Sequence, residues 1–336
     1  MVSEITCKYC DSNNIVKDGS NTGEQYFLCR SCNRRFNLKG ALPGMKTAVS
    51  TIATAVSTYY QGLSINEVCE MLKQTYHIEV SDFAVYNWIE RFTKDAIEAT
   101  KYYRPSVGHV WAVDETVILV NGKKYWLWDV LDIKTRFLIA SHLSANRLVE
   151  DAHKVLSIAY ANTGVIPKVI ISDGNYSYVN SIKLTFGDKT KHLQVKKFDA
   201  TPNNNIIERM QGTIKGRTKV MRGLKSMDSA NTILKGFLVY YNYFRAHDTL
   251  STPNNPQTPA DKANARFPYK DWENFIRYSQ EAKTNIPPFF KQVPVLPVIK
   301  PTARQKHRIH ERKRIRKIRE LKKQSSLHVT KGKGNK

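Results

Sequence analysis

The run His109-Val-Trp-Ala-Val-Asp-Glu-Thr-Val-Ile-Leu-Val120 constrains the fold more than any other stretch of the chain. It is crowded with β-branched and aromatic side chains, which suit a pleated surface better than a helix. It ends at Asn121-Gly122, a pair that tolerates the positive φ of a tight hairpin turn, so the next run, Lys123 to Asp132, is expected to return antiparallel. A third run, Thr135 to Ala140, extends the meander. From Leu148 to Ala161 the apolar spacing changes to that of a helix. Val169-Ile-Ile-Ser-Asp-Gly174 then reads as a short buried strand closed by a turn. A helix over Tyr178–Phe186, a strand near Leu193–Val195 and a helix after Thr201-Pro202-Asn203 complete the pattern. This order predicts an α/β domain with a mixed five-stranded sheet flanked by helices.

Three acids punctuate that pattern: Asp114 in the first strand, Asp173 at the end of the fourth, and Glu208 in the last helix. On a helical period Ile207, Met210 and Ile214 form an apolar stripe, and Asn204, Glu208, Gln211 and Lys215 form a polar one. Clustered carboxylates repel one another, so such a set makes chemical sense around a cation. Two hard divalent ions about 4 Å apart activate an attacking oxygen and steady a leaving one at a phosphodiester. The plainer reading is that an Asp at a strand end is a turn former, in a chain with 29 acidic residues to choose from. Glu115 is expected on the opposite sheet face by strand alternation. Asp129 and Asp132 are expected at a strand end, Asp199 in a loop, and His192 on the surface.

Asp114 in Trp-Ala-Val-Asp-Glu-Thr, Asp173 in Ser-Asp-Gly and Glu208 in Asn-Asn-Asn-Ile-Ile-Glu resemble the DDE motif of prokaryotic insertion-sequence transposases. The 35-residue step from Asp173 to Glu208 and the basic Lys215 two turns later are similar to that family's pattern. Tyr241-Asn-Tyr-Phe-Arg-Ala-His247 with Thr258-Pro-Ala260 resembles the closing signature of such domains, and the likeness covers roughly residues 40–262. The resemblance implies an RNase H-like fold of the retroviral-integrase superfamily. It also implies two Mg²⁺ or Mn²⁺ ions on Asp114, Asp173 and Glu208, cleavage at element ends, and strand transfer into target DNA. The implied partner is double-stranded DNA, the implied assembly a homodimer or larger, and the implied location a prokaryotic cytoplasm, at the nucleoid. Trp126-Leu-Trp128 is more aromatic, and the tail after Ala260 longer and more basic, than that pattern leads one to expect.

A formal net charge of +24 points independently to a polyanionic partner. No run approaches the ~18 apolar residues of a membrane span, and none of the first residues reads as a signal peptide. Cys7-x-x-Cys10 and Cys29-x-x-Cys32 have the spacing of two knuckles gripping one structural Zn²⁺, with Gly19 and Gly23 placed to turn the hairpin between them. A disulfide pair or redox dithiol is the competing reading. Cys69 lies among apolar helix positions and reads as buried and inert. Tyr26, Phe27, Arg34 and Arg35 beside the second knuckle suit a DNA-facing ribbon.

Beyond Gly40-Ala-Leu-Pro-Gly44, helices are expected from Met45 to about Gln61, from the capping box Ser64-Ile-Asn-Glu67, and from Ser81. The break near His77 makes the second and third a helix-turn-helix, with Tyr86, Asn87 and Arg91 toward DNA. A plain helical bundle is the alternative. Lys215 and Arg217 are further candidate DNA contacts on the Glu208 helix. Arg245 and His247 at a helix end complement its dipole or meet phosphate. After prolines at 287–301, the stretch Lys300–Lys336 carries 15 Lys or Arg against Glu311 and Glu320, fit for backbone contact without base reading.

The expected domains are a zinc ribbon (1–40), a helix-turn-helix (41–102), the catalytic domain (103–262) and a linker with basic tail (263–336). Two functions from other classes fit parts of this pattern: a zinc-ribbon regulator without catalysis, and a nuclease or resolvase that cuts but never joins.

Overall fold

The structure is a computed structural model, and it describes residues 5–21, 24–38, 41–42, 45–195, 205–220, 224–279 and 311. Thr201-Pro202-Asn203, Asp199, Gly23, the proline-rich stretch and the basic tail lie outside the described residues, Glu311 excepted. The described residues fall into two compact units, one within 1–103, 120–122 and 212–279, the other within 104–119 and 123–211.

The first unit begins with a three-stranded antiparallel sheet of β1 (Ile15–Asn21), β2 (Glu24–Cys29) and β3 (Arg35–Asn37). Its core is minimal: Cys7, Phe27, Cys29 and Phe36, with Ile5, Tyr9, Ile15 and Cys32 around them. So small an apolar set cannot offset the entropy of ordering the chain, which leaves the cysteines to do so. Gly19, at φ +75°, lies where the β1–β2 register slips between Lys17 and Ser20. It therefore serves a bulge within β1, and the pairing of the two strands runs as far as Asn21 and Glu24.

Helices α1 (Val49–Gln61), α2 (Ile65–Tyr76) and α3 (Asp82–Thr100) follow. Their ends are set by the expected residues. Gly62 closes α1 at positive φ, and Ser64 and Glu67 form a reciprocal capping box. His77 takes the left-handed conformation after α2, and Ser81 Oγ accepts from Ala84 N at 3.2 Å. Val85, Trp88, Ile89 and Phe92 are buried along α3, while Asn87 and Arg91 are exposed and Tyr86 is half-buried.

These helices share a core with a distant stretch of sequence, and Tyr60 lies at its centre. The Tyr60 hydroxyl bonds Thr93 Oγ1 at 2.7 Å, and its ring stacks on Tyr240 and on Trp272, each centroid 5.7 Å away.

The second unit is built on a sheet of β4 (Val110–Val120), β5 (Lys123–Asp132), β6 (Leu138–Ser144), β7 (Val169–Ser172) and β8 (Lys191–Gln194). Asn121 and Gly122, at φ 48° and 71°, turn β4 into β5. The spatial order is β6-β5-β4-β7-β8. β5 and β6 pair antiparallel, while β7 pairs parallel with both β4 and β8. The crossovers are α4 (Val149–Thr163) and α5 (Tyr176–Phe186). An antiparallel meander extended by parallel strands and crossover helices is the RNase H-like arrangement. The helix α6 (Asn205–Val220) starts in this unit. Ile207, Met210 and Ile214 are buried along it, and Glu208 and Lys215 are exposed. Gln211, expected on the polar stripe, is buried.

Back in the first unit, α7 (Met227–Val239) runs into a π-helical turn at Tyr240–Phe244, and the short helices α8 (Pro259–Lys262) and α9 (Trp272–Arg277) follow. No helix among the described residues is long and apolar enough to cross a membrane.

Candidate metal-dependent active site

Parallel pairing of β4 with β7 is what brings the first two acids together. The register Val110↔Val169, Trp111↔Ile170, Ala112↔Ile171, carried forward, sets Asp114 beside Asp173, just past the end of β7. Carboxylate oxygens of Asp114, Glu115 and Asp173 all lie within 4.8 Å of one another. Each aspartate has one oxygen fixed by main chain. Glu115 N donates to Asp114 Oδ1 at 2.9 Å, and Asn175 N donates to Asp173 Oδ1 at 3.0 Å.

Strand alternation places Glu115 away from this group, yet its oxygen reaches it. The same register sets Glu115 opposite Gly174, beyond the last residue of β7. The Glu115 side chain is fully buried and its oxygens are engaged. Arg147 Nε donates to Oε1 at 2.5 Å, Asn175 Nδ2 to Oε1 at 2.9 Å, and the Tyr178 hydroxyl to Oε2 at 2.5 Å. Nη2 of Arg147 also contacts Oε1 and lies 3.9 Å from Asp173 Oδ2.

Electrostatics follow from this crowding. Burial, then the charges of Glu115, Asp173 and Asp129, push the Asp114 carboxyl up to about 7, against the pull of the Glu115 N–H. Asp129 lies within β5, completely buried, where sequence suggested a strand end; burial likewise pushes it up to about 7, against a bond from Ser141 Oγ at 2.5 Å. Asp132 does close β5, and its carboxylate accepts from Thr135 and Gly108. His192 is half-buried in β8, with Nε2 2.7 Å from Ser172 Oγ.

A hard cation suits this set. Oxygen donors at about 2.1–2.5 Å from one ion stand up to about 4–5 Å apart, which is the span observed. A positive ion would also offset the burial and carboxylate repulsion that raise the Asp114 carboxyl. Glu208, in the first turn of α6, is exposed and is not part of the group of three.

The four cysteines gather as the spacing suggests. All four sulfurs lie within 4.8 Å of one another, with Cys7–Cys32 at 3.7 Å and Cys10–Cys29 at 3.6 Å, and none forms a disulfide. Sulfurs about 2.3 Å from a tetrahedral ion stand about 3.8 Å apart. Cys69, expected as buried, is half-buried on α2.

The candidate DNA contacts differ in setting. Arg35 is exposed, paired with Asp18 at 2.7 Å and lying over Tyr26, while Arg34 is exposed over Tyr9. Lys215 is exposed. Arg217 is buried, its guanidinium 3.7 Å above the Tyr59 ring, away from the solvent-exposed setting expected of a DNA contact. Arg245 Nη1 lies 3.4 Å from Thr213 Oγ1, and the His247 ring packs edge-on to Tyr241.

A mixed sheet of this order, with Asp114 on β4 and Asp173 just past the end of its parallel neighbour β7, is an RNase H-like domain. Residues 108–247 match the family described as the DDE domain, of the IS240 transposase type. It is 25% identical over 198 residues to the transposase for insertion sequence-like element IS431mec of Staphylococcus aureus strains N315 and MW2, covering 58% of this chain and 84% of theirs. Among solved structures it is similar to the HTLV-2 integrase catalytic core domain in complex with magnesium, at 16% identity and a TM-score of 0.36, covering 48% of this chain and 99% of that one. It is also similar to the BIV integrase catalytic core, at 15% identity and a TM-score of 0.35, covering 47% and 94%.

Proposed function

We propose that this protein is a DNA transposase that binds the ends of a mobile element, cuts there and joins the freed strand to target DNA. The observation that supports this reading is the pair of Asp114 on β4 and Asp173 just past the end of parallel β7, in a setting that favours a cation. Asp114 and Asp173, joined by Glu208 from α6, would hold two Mg²⁺ or Mn²⁺ ions. When bound, such ions activate water or a 3′-hydroxyl and neutralise charge on the leaving oxygen. Asp114 and Asp173 present rigid oxygens because main-chain N–H groups fix each carboxylate. No Ser or Tyr nucleophile is needed.

Cys7, Cys10, Cys29 and Cys32 would hold one structural Zn²⁺, ordering a ribbon whose Arg34 and Arg35 face phosphate. Tyr86, Asn87 and Arg91 on α3, with Lys215 on α6, would contact element ends, whereas Arg217, buried against Tyr59, would brace α6. The acting form is a homodimer or larger on DNA, in the cytoplasm at the nucleoid. Domain limits at 40, 102 and 262 accompany this reading.

The test is strand transfer from pre-cleaved element ends in Mn²⁺. Joined products that vanish in Asp114→Asn and Asp173→Asn support the proposal. Cutting without joining would make the protein a nuclease or resolvase. Binding that is indifferent to these substitutions, with no reaction, would make it a regulator.

A further inference from the structure

We infer that Glu115 is a positioning residue for the Asp114–Asp173 pair, acting through Arg147, Asn175 and Tyr178, and is not itself a metal ligand. The inference rests on the metal site proposed above. An unengaged carboxylate within 4.8 Å of two others would be expected to join the cation. Glu115 is engaged: Oε1 accepts from Arg147 and Asn175, and Oε2 from Tyr178. Its side chain is fully buried, so these donors replace water completely.

Two of the three donors lead back to Asp173. Asn175 is the link to Asp173: its amide nitrogen donates to Glu115, its main-chain N–H to Asp173 Oδ1, and its Oδ1 caps α5 through Ser177 N at 3.1 Å. Arg147 spans Glu115 and Asp173 and lies 4.8 Å from the centre of the Trp126 ring. Tyr178 anchors the assembly in the core, fully buried and edge-on to Trp128 at 5.7 Å. Glu115 also supplies the N–H that fixes Asp114 Oδ1. One residue thus sets the angle of the β4 carboxylate with its main chain and that of the β7 carboxylate with its side chain. Partners that orient ligands in this way commonly control metal affinity about 10–100-fold.

A pure charge effect makes a different forecast, and the two are separable. If Glu115 acted only by its negative field, Tyr178→Phe would leave Mn²⁺ binding unchanged, and Arg147→Gln would tighten it by removing a nearby positive charge. Positioning predicts weaker binding in both.

The experiment measures Mn²⁺ affinity of the full chain by calorimetry and by loss of the free-ion EPR signal, with the thermal midpoint recorded for each variant. Expected losses are about 10-fold or more for Glu115→Gln and several-fold for Tyr178→Phe and Arg147→Gln, at folded-state signals equal to the parent. If Glu115→Gln does not fold, Tyr178→Phe decides alone, since it keeps the ring and the charge. Wild-type affinity in Tyr178→Phe, or tighter binding in Arg147→Gln, overturns the inference. Asp114→Asn is the control for the site: unchanged Mn²⁺ binding there defeats the metal site itself, not merely the role of Glu115.

Discussion

Gly236→Ala offers a quantitative check on how the helices of the first unit meet. In an exposed helix this change gains about 1 kcal/mol, because alanine loses less backbone freedom on folding. Here a Cβ would stand 2.0 Å from the Tyr60 hydroxyl, 2.4 Å from Thr93 Cγ2 and 2.9 Å from Tyr60 Cζ. A flexible neighbour would swing aside, but Tyr60 is held by its bond to Thr93 and by stacking on Tyr240 and Trp272. Overpacking a rigid core costs about 1–3 kcal/mol, sometimes more, and two colliding groups favour the upper end. The expected net loss is therefore about 2 kcal/mol after the helix gain.

Gly216→Ala, whose Cβ meets nothing within 4 Å, serves as the control and should be neutral or stabilising by up to about 1 kcal/mol. Tyr60→Phe removes the hydroxyl, so the double variant Tyr60→Phe/Gly236→Ala should lose less than the sum of the singles, with a coupling of at least ~0.5 kcal/mol. Urea unfolding followed by circular dichroism reads all four proteins. A Gly236→Ala midpoint equal to or above the parent's would refute the packing.

Further expectations concern charge, metal and DNA. Because the folded Asp114 carboxyl is raised to about 7 from 3.8, the folded protein keeps a proton there that the unfolded chain releases. Metal-free protein should thus lose stability as pH rises from about 4 through 7, with Asp129 acting in the same direction. Mn²⁺ should restore it above pH 7, and urea midpoints at pH 5 and 8 with and without the ion check the sign. Chelation or Cys29→Ser should unfold the β1–β3 ribbon while leaving helix content intact, seen as lost amide-exchange protection confined to residues 15–37. Asn87→Ala should cost about 1–3 kcal/mol on a cognate end and little on random DNA if it reads a base, whereas Arg91→Ala should weaken both alike if it meets phosphate, as measured by fluorescence anisotropy over a salt series.

Much of the local structure was legible because it is encoded within a few residues. Asn121-Gly122 fixes the hairpin, Ser64 and Glu67 the start of α2, and His77 its end. Asp114 and Asp173 lie together because the chain returns from the β4–β6 meander through α4 to set β7 parallel beside β4. What escaped depends on neighbours far along the chain. Glu115 joins the acids with its carboxylate held by Arg147, Asn175 and Tyr178, partners 32 to 63 residues away that strand alternation does not show. Asp129 is buried mid-strand beside Ser141, a partner visible only once β5 and β6 are in register. Gly19 serves a bulge because the register slips, not because a turn needs it. The Tyr60–Gly236 contact joins residues separated by about half the chain, beyond the reach of any periodicity.

The most direct measurement is anomalous diffraction from crystals soaked in Mn²⁺, recorded on both sides of the manganese absorption edge. The account predicts a peak between Asp114 and Asp173, with an oxygen of each at about 2.1–2.2 Å from the ion and Glu115 still bonded to Arg147, Asn175 and Tyr178. Saturating Mn²⁺ that leaves no peak at that pair would contradict it.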